Sequence, residues 1–408
     1  MTLRRLALSE ESAKADRDYS PSMARSVVAV DPPSTIGSGT LNTGQSGNIN
    51  ITTRELSSAG GLIIADTVRN ALSGNLVINA DTVNLTGGAL ISSSSDVGTQ
   101  GGNITLNVTD TLSVVGRRSG NYTNSQNRVF EDNQTAIVTI TAGNAQAGNI
   151  AINATTLFMD KGGTISTSTI GSGNAGNLEI IAQDLYLLGE PTLITSSSGA
   201  FLGDVFFEGQ GQGGNLFVSA NQMTLADGGT ISANSFGTGN AGDITVSSNL
   251  INLTNDGKIT TEAKNAAGGN ITITTPNLLY LRGGQITTSV GTGKGSGGDI
   301  TISQPMFVVL DKGQIKAQAD EGRGGDIHIT SNQFLASPDS LVSASSRLGI
   351  DGDVEIDAPE VNMEDFVVVL PGGFVDVSLK RCDIQELENP SSFRVTHPQR
   401  VPPFVRIK

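Results

Sequence analysis

The residues able to do acid–base or metal chemistry are few in this chain. There are two histidines, His328 and His397, and one cysteine, Cys382. A single thiol allows neither an internal disulfide nor a cysteine-based metal cluster. His328 stands between Ile327 and Ile329, an outward place on an alternating strand, where a solvated imidazole is the ordinary outcome and a base or ligand the special one. Residue order leaves a Ser-His-Asp relay open, but no Gly-x-Ser-x-Gly elbow occurs in a strand-to-helix setting. The run Gly171-Ser172-Gly173-Asn174-Ala175-Gly176 fits Gly-x-Gly-x-x-Gly. A strand pattern follows it, so no helix N-terminus is available to receive a phosphate.

Carboxylates are the more interesting group. Asp299, Asp326 and Asp353 each follow a glycine and precede an aliphatic residue, 27 positions apart. If that step is one structural repeat, the three stack at about 5 Å and each pair repels by about 1 kcal/mol in water. Either the column is well solvated or cations bridge it, which makes these three the calcium candidates. Hydrolysis or elimination on a sugar needs two carboxylates, or calcium with a base, gathered on one face. The acids suited to that by position are Glu131, Asp132, Asp204 and Glu208, and nothing in their spacing marks them as a pair.

The elements that must position these groups follow from a period. Glycine followed by Asn or Asp and an aliphatic residue occurs at Gly47, Gly74, Gly102, Gly148, Gly176, Gly214, Gly242, Gly269, Gly298, Gly325 and Gly352. Eight of the ten intervals are 27–29 residues. Each unit holds three short alternating pieces, for example Leu216-Phe217-Val218, Met223-Thr224-Leu225 and Thr230-Ile231-Ser232. The two-residue alternation is strand, and there is no helical half. The pattern predicts an all-β fold, a parallel β-helix of about eleven coils of roughly 27 residues, with Ile, Leu and Val inside and mostly Ser and Thr outside. Glycine is expected at the corners, for positive φ or for close backbone approach.

Two intervals are longer, 46 and 38 residues, and place inserts near 116–134 and 199–211. Inserts in solenoids map to loops on the surface. These carry Tyr122, Phe130, Phe206 and Phe207, which are the candidate binding-loop residues. The repeats span 41–360, residues 1–40 read as an irregular or disordered leader, and 361–408 as a C-terminal cap followed by an extended, proline-containing tail.

Composition narrows the function classes. Net charge is −14, which disfavours nucleic acid and anionic bilayers as partners. No apolar run approaches the 18 or so residues of a membrane-spanning helix, and Leu6-Ala7-Leu8 is too short for a signal-peptide core.

With its repeat in view, the chain resembles the cyanobacterial filamentous-haemagglutinin-like exoproteins of two-partner secretion systems. The likeness rests on the tandem Gly-Asn-aliphatic-x-aliphatic units, such as Gly214-Asn215-Leu216-Phe217-Val218 with Gly228-Gly229-Thr230-Ile231-Ser232. It also rests on Gly349-Ile350-Asp351-Gly352-Asp353-Val354, Val375-Asp376-Val377-Ser378, Cys382 and Ser391-Ser392-Phe393-Arg394-Val395-Thr396. The resemblance implies that the all-β coil is a right-handed parallel β-helix (solenoid), with export through an outer-membrane β-barrel transporter, a cell-surface or extracellular location, and a non-enzymatic, adhesin-like role toward a surface receptor or glycan, with no cofactor. It also implies a signal peptide and secretion domain ahead of the repeats; neither is visible, so the chain reads as the C-terminal β-helix portion of such a protein. The rival expectation is a β-helix carbohydrate-active enzyme, a polysaccharide lyase or glycosidase.

Overall fold

The computed structural model describes residues 27–29, 35–39, 44–67, 71–95, 100–118, 122–123, 129–130, 133–202 and 205–359. The sequence-based cap and tail at 361–408 lie outside these, as does most of the leader. Among the described residues every regular element is a strand, and the fold is a parallel β-helix. Eleven rungs, from Ile49–Thr52 to Val354–Asp357, repeat the first strand, separated by ten turns of the chain. The first turn starts earlier than the repeat shows, because Val27–Ala29 pairs in parallel with Leu56–Ser58 and Thr35–Gly37 with Leu62–Ile64.

The first and second pieces of each repeat belong to one 17-stranded sheet, and the third pieces form an 11-stranded sheet. In five rungs the first two pieces are a single strand of 11 or 12 residues, such as Leu216–Ala226. A straight strand cannot hold both pieces inward, because their inward residues differ in parity. Leu216, Val218 and Ala220 point in, Asn221 and Gln222 both point out, then Met223 and Leu225 point in. Two successive outward residues are therefore the corner. In Ile104–Val115 one additional residue at this corner shifts the pairing register between Val108 and Thr111.

Identical inward positions stack from rung to rung. Ile150 pairs with Leu178, which pairs with Leu216 and then Ile244, Ile271, Ile300 and Ile327, each at most 1% exposed. The third strands contribute Ile165, Ile194, Ile231, Ile259, Ile286 and Ile315, all fully covered. One expectation fails here. Not all Ser and Thr beside the aliphatics face outward: Ser93, Thr139, Thr167, Ser196, Thr261 and Thr288 occupy the second inward place of the third strand and are fully buried. Their hydroxyls have a reason to be there. Ser93 donates to the carbonyl of Gly74 at 2.7 Å, Thr139 to Gly148 at 2.6 Å and Thr167 to Gly176 at 2.7 Å. An oxygen that the coil corner would otherwise bury unpaired is satisfied from inside.

The anchor glycines owe their identity to close approach and not to positive φ. A Cβ on Gly214 would stand 2.0 Å from the carbonyl oxygen of Gly176, and one on Gly176 would stand 2.0 Å from that of Gly148. Before the third strand both causes act, since Gly228 has φ of 89° and a Cβ on Gly229 would lie 2.3 Å from the Leu187 carbonyl oxygen.

Candidate functional site

The residue after each anchor glycine forms one unbroken column. The backbone N–H of Asn75 donates to Oδ1 of Asn48 at 2.8 Å, and Asn103 donates to Asn75 at 2.9 Å. The same bond recurs through Asn149, Asn177, Asn215, Asp243, Asn270, Asp299, Asp326 and Asp353. Only an acceptor oxygen is used, so an amide and a carboxylate fit equally, which accounts for the change from Asn to Asp along the column. The candidate calcium ligands thus have a structural employment. Asp299 and Asp326 each commit Oδ1 to the next rung, and Arg323 lies 2.7 Å from Asp326 Oδ1 and 3.2 Å from Asp353 Oδ2. Among the described residues no three His, Cys, Asp or Glu side chains gather as a metal-ligand set.

Both inserts are antiparallel hairpins set on a parallel scaffold. In the first, Arg117–Arg118 pairs with Asn133–Gln134 and Tyr122–Thr123 with Val129–Phe130, so Tyr122 and Phe130 are directly opposite one another. It leaves the coil between the second and third strands. In the second, Ala200–Leu202 pairs with Val205–Phe207, and this hairpin leaves between the third strand and the next first strand. The structure therefore puts the two aromatic sets on different corners and does not bring them together.

The second hairpin packs onto the stack. Phe206 packs edge-on against Phe236 of the following turn, with ring centroids 5.2 Å apart and planes at 88°. Such pairs add about 0.5–1.5 kcal/mol beyond the area they bury. Phe206 and Phe207 remain 37% and 41% exposed. Glu208, one of the acids considered for sugar chemistry, is ion-paired with Lys264 two rungs on. Glu131, Asp132 and Asp204 lie outside the described residues.

His328 has partners that the sequence did not reveal. Its Nδ1 is 3.1 Å from Glu355 Oε2 and its Nε2 is 3.0 Å from Thr330 Oγ1. The order hydroxyl, imidazole, carboxylate is that of an activated nucleophile. The setting is different: the three stand on an open sheet face, with the His328 and Glu355 side chains 46% and 74% exposed. Their own strands, Ile327–Thr330 and Val354–Asp357, are paired along their length. The group joins the last two described rungs through their side chains.

The run from Gly171 to Gly176 is explained by stacking. A Cβ at Gly171, Gly173 or Gly176 would lie 1.8–2.1 Å from a carbonyl oxygen of the preceding turn. A strand, Leu178–Leu188, follows it.

One half-buried acid escaped the sequence reading. Asp66 Oδ1 accepts from the Ser92 hydroxyl and the Ser94 N–H, each at 2.7 Å. Burial pushes its carboxyl above the ordinary Asp value, and the two hydrogen bonds offset part of that rise. An acid with a raised folded-state pKa favours the fold below its unfolded value near 3.8 and loses that contribution as pH climbs through the raised value. Asp66→Asn keeps an acceptor for both donors and removes the titration. We expect the variant to melt higher than the parent at pH 7, with the difference closing at pH 3; an equal difference at both pH values would show that burial of charge is not the cause.

Comparison of the chain with protein-family models, with curated proteins and with solved structures finds no match. The class defined by the fold and its column of hydrogen bonds is a parallel β-helix repeat protein bearing two inserted hairpins. Any narrower reading rests on this chain's own residues.

Proposed function

We propose that the protein is a non-enzymatic structural, adhesin-like rod of the cell surface or extracellular space. In this reading an outer-membrane β-barrel transporter delivers it, as the resemblance to two-partner secretion exoproteins implies. The coil stack supplies a stiff spacer, and the hairpins supply contact. The observation that carries the proposal is the hairpin Ala200–Phe207, which is inserted into the repeat and whose Phe206 and Phe207 are 37% and 41% exposed. Exposed aromatic side chains on a rigid support are the usual anchors of recognition. A receptor or a glycan on another surface is the partner in this reading.

The test is adhesion of coated beads to glycan arrays and to cells of the source community, comparing the parent with Phe206→Ala/Phe207→Ala and with deletion of 117–134. Truncating an aromatic pair that the partner covers is expected to cost at least about 2 kcal/mol, roughly a thirtyfold loss of binding. Adhesion undiminished in both variants would remove the hairpins from the reading. Release of new reducing or unsaturated ends from acidic polysaccharides would replace it by the enzyme.

A further inference from the structure

The outer face of the second strands carries apolar side chains at Phe158, Tyr186 and Leu188, and again, with a cation and an anion beside them, on the rungs of Leu278 and Phe307. Leu278, Tyr280 and Arg282 alternate outward along Leu278–Arg282, and Phe307, Val309 and Asp311 along Phe307–Asp311. Register sets Leu278 beside Phe307, Tyr280 beside Val309 and Arg282 beside Asp311. Leu250 continues the block on one side, and Leu335, 44% exposed, on the other. A contiguous apolar block on a flat face marks an interaction surface.

The kind of partner follows from geometry and charge. Backbone groups of this face are spent on rung-to-rung pairing, so a partner cannot add itself as a strand; it must pack flat, sheet on sheet, at about 10 Å. We infer that the partner is a second copy of this chain, related by a two-fold axis that runs parallel to the strands between the rungs of Leu278 and Phe307. That axis places Leu278 opposite Phe307 of the second copy, Tyr280 opposite Val309 and Arg282 opposite Asp311. Each contact occurs twice, as a two-fold interface requires. Among the described residues neither Arg282 nor Asp311 has an ion-pair partner within the chain. The six central side chains sum to zero charge on a chain of net −14, so the block itself adds no like-charge repulsion between two copies.

The overlap runs over four rungs, from that of Leu250 to that of Leu335. Four rungs of about 4.8 Å by five residues of about 3.3 Å give about 320 Å² per copy, against about 800 Å² in a standard interface. The association is therefore weak and needs high concentration.

Sedimentation velocity of the full chain from about 1 µM to about 500 µM tests it, in the range where so small an interface populates a dimer. The parent is expected to shift from monomer toward dimer, and Val309→Lys and Arg282→Asp to remain monomeric. Arg282→Asp combined with Asp311→Arg is expected to restore the dimer. All substituted side chains point outward, and far-UV circular dichroism with melting checks that each variant keeps the coil. A parent that is monomeric throughout, variants that dimerise like the parent, or a charge swap that restores nothing would each overturn the interface. Retention of a monomeric parent on an immobilised neutral polysaccharide, lost in Val309→Lys, would overturn it in favour of a glycan face.

Discussion

Ile273→Asp is expected to unfold the coil around its rung. Ile273 is fully buried and sits in register between Val246 of the preceding rung and Ile302 of the following one. An aspartate there has no cation within the aliphatic column, so it must either bury a bare carboxylate or expel the strand. Breaking charge balance in a core costs about 3–5 kcal/mol, whereas Ile273→Val at the same place removes one methylene group and costs about 0.5–1.5 kcal/mol. Because each repeat touches chiefly its neighbours, the damage spreads as a break between the repeats on either side. Circular dichroism and protease mapping check it: the expected cut sites lie in the rungs around 273. An Asp variant that melts with the Val variant would show that the interior is wet, contrary to the fold.

Gly242→Ala is the second large effect, and it is steric. The added Cβ would stand 2.1 Å from the carbonyl oxygen of Gly214 and 2.6 Å from its carbonyl carbon. Both obstacles are backbone, so no side chain can swing aside. One face of the coil must spread, which weakens the ladder bond from Asp243 N–H to Asn215 Oδ1, now 3.0 Å. Overpacking usually costs about 1–3 kcal/mol, and a backbone collision belongs at the top of that range or beyond it. Gly291→Ala supplies the control, since its Cβ would meet nothing nearer than 3.9 Å. That variant is expected to fall within about 0.5 kcal/mol of the parent. Equal melting temperatures for the two alanine variants would contradict close approach as the reason for the anchor glycines.

Much of the fold was legible because its signals are local. The anchors from Gly47 to Gly352, and the aliphatic pairs that follow them, report an alternation and a period, and both survive in a single chain read by eye. The corner was less legible. Asn221 and Gln222 look like any polar pair, yet their two successive outward side chains join two of the three short pieces into one long strand that turns the corner. The inward Ser and Thr were misplaced for a related reason. A hydroxyl such as Thr167 enters the core only because the Gly176 carbonyl of the same turn needs a donor, and that carbonyl is nine residues away in sequence.

The candidate groups divide in the same manner. That Asp299, Asp326 and Asp353 form a column followed from the 27-residue step alone. Which atoms meet did not: the column is bonded from side-chain oxygen to backbone N–H, with Arg323 reaching across two rungs. His328 was correctly placed on the outside, but its neighbours Glu355 and Thr330 come from the next rung and from two residues along its own strand.

The sequence by itself determined the class of fold, the number of rungs, and the residues that stack inside, because a one-dimensional repeat converts spacing directly into contact. The tertiary structure alone decided which polar side chains are buried, which insert leaves which corner, and where outward apolar residues of successive rungs, Leu278, Tyr280, Phe307 and Val309, adjoin. Those outcomes depend on registers between residues some 28 positions apart, and strand pairing brings such residues within about 5 Å whatever their separation along the chain.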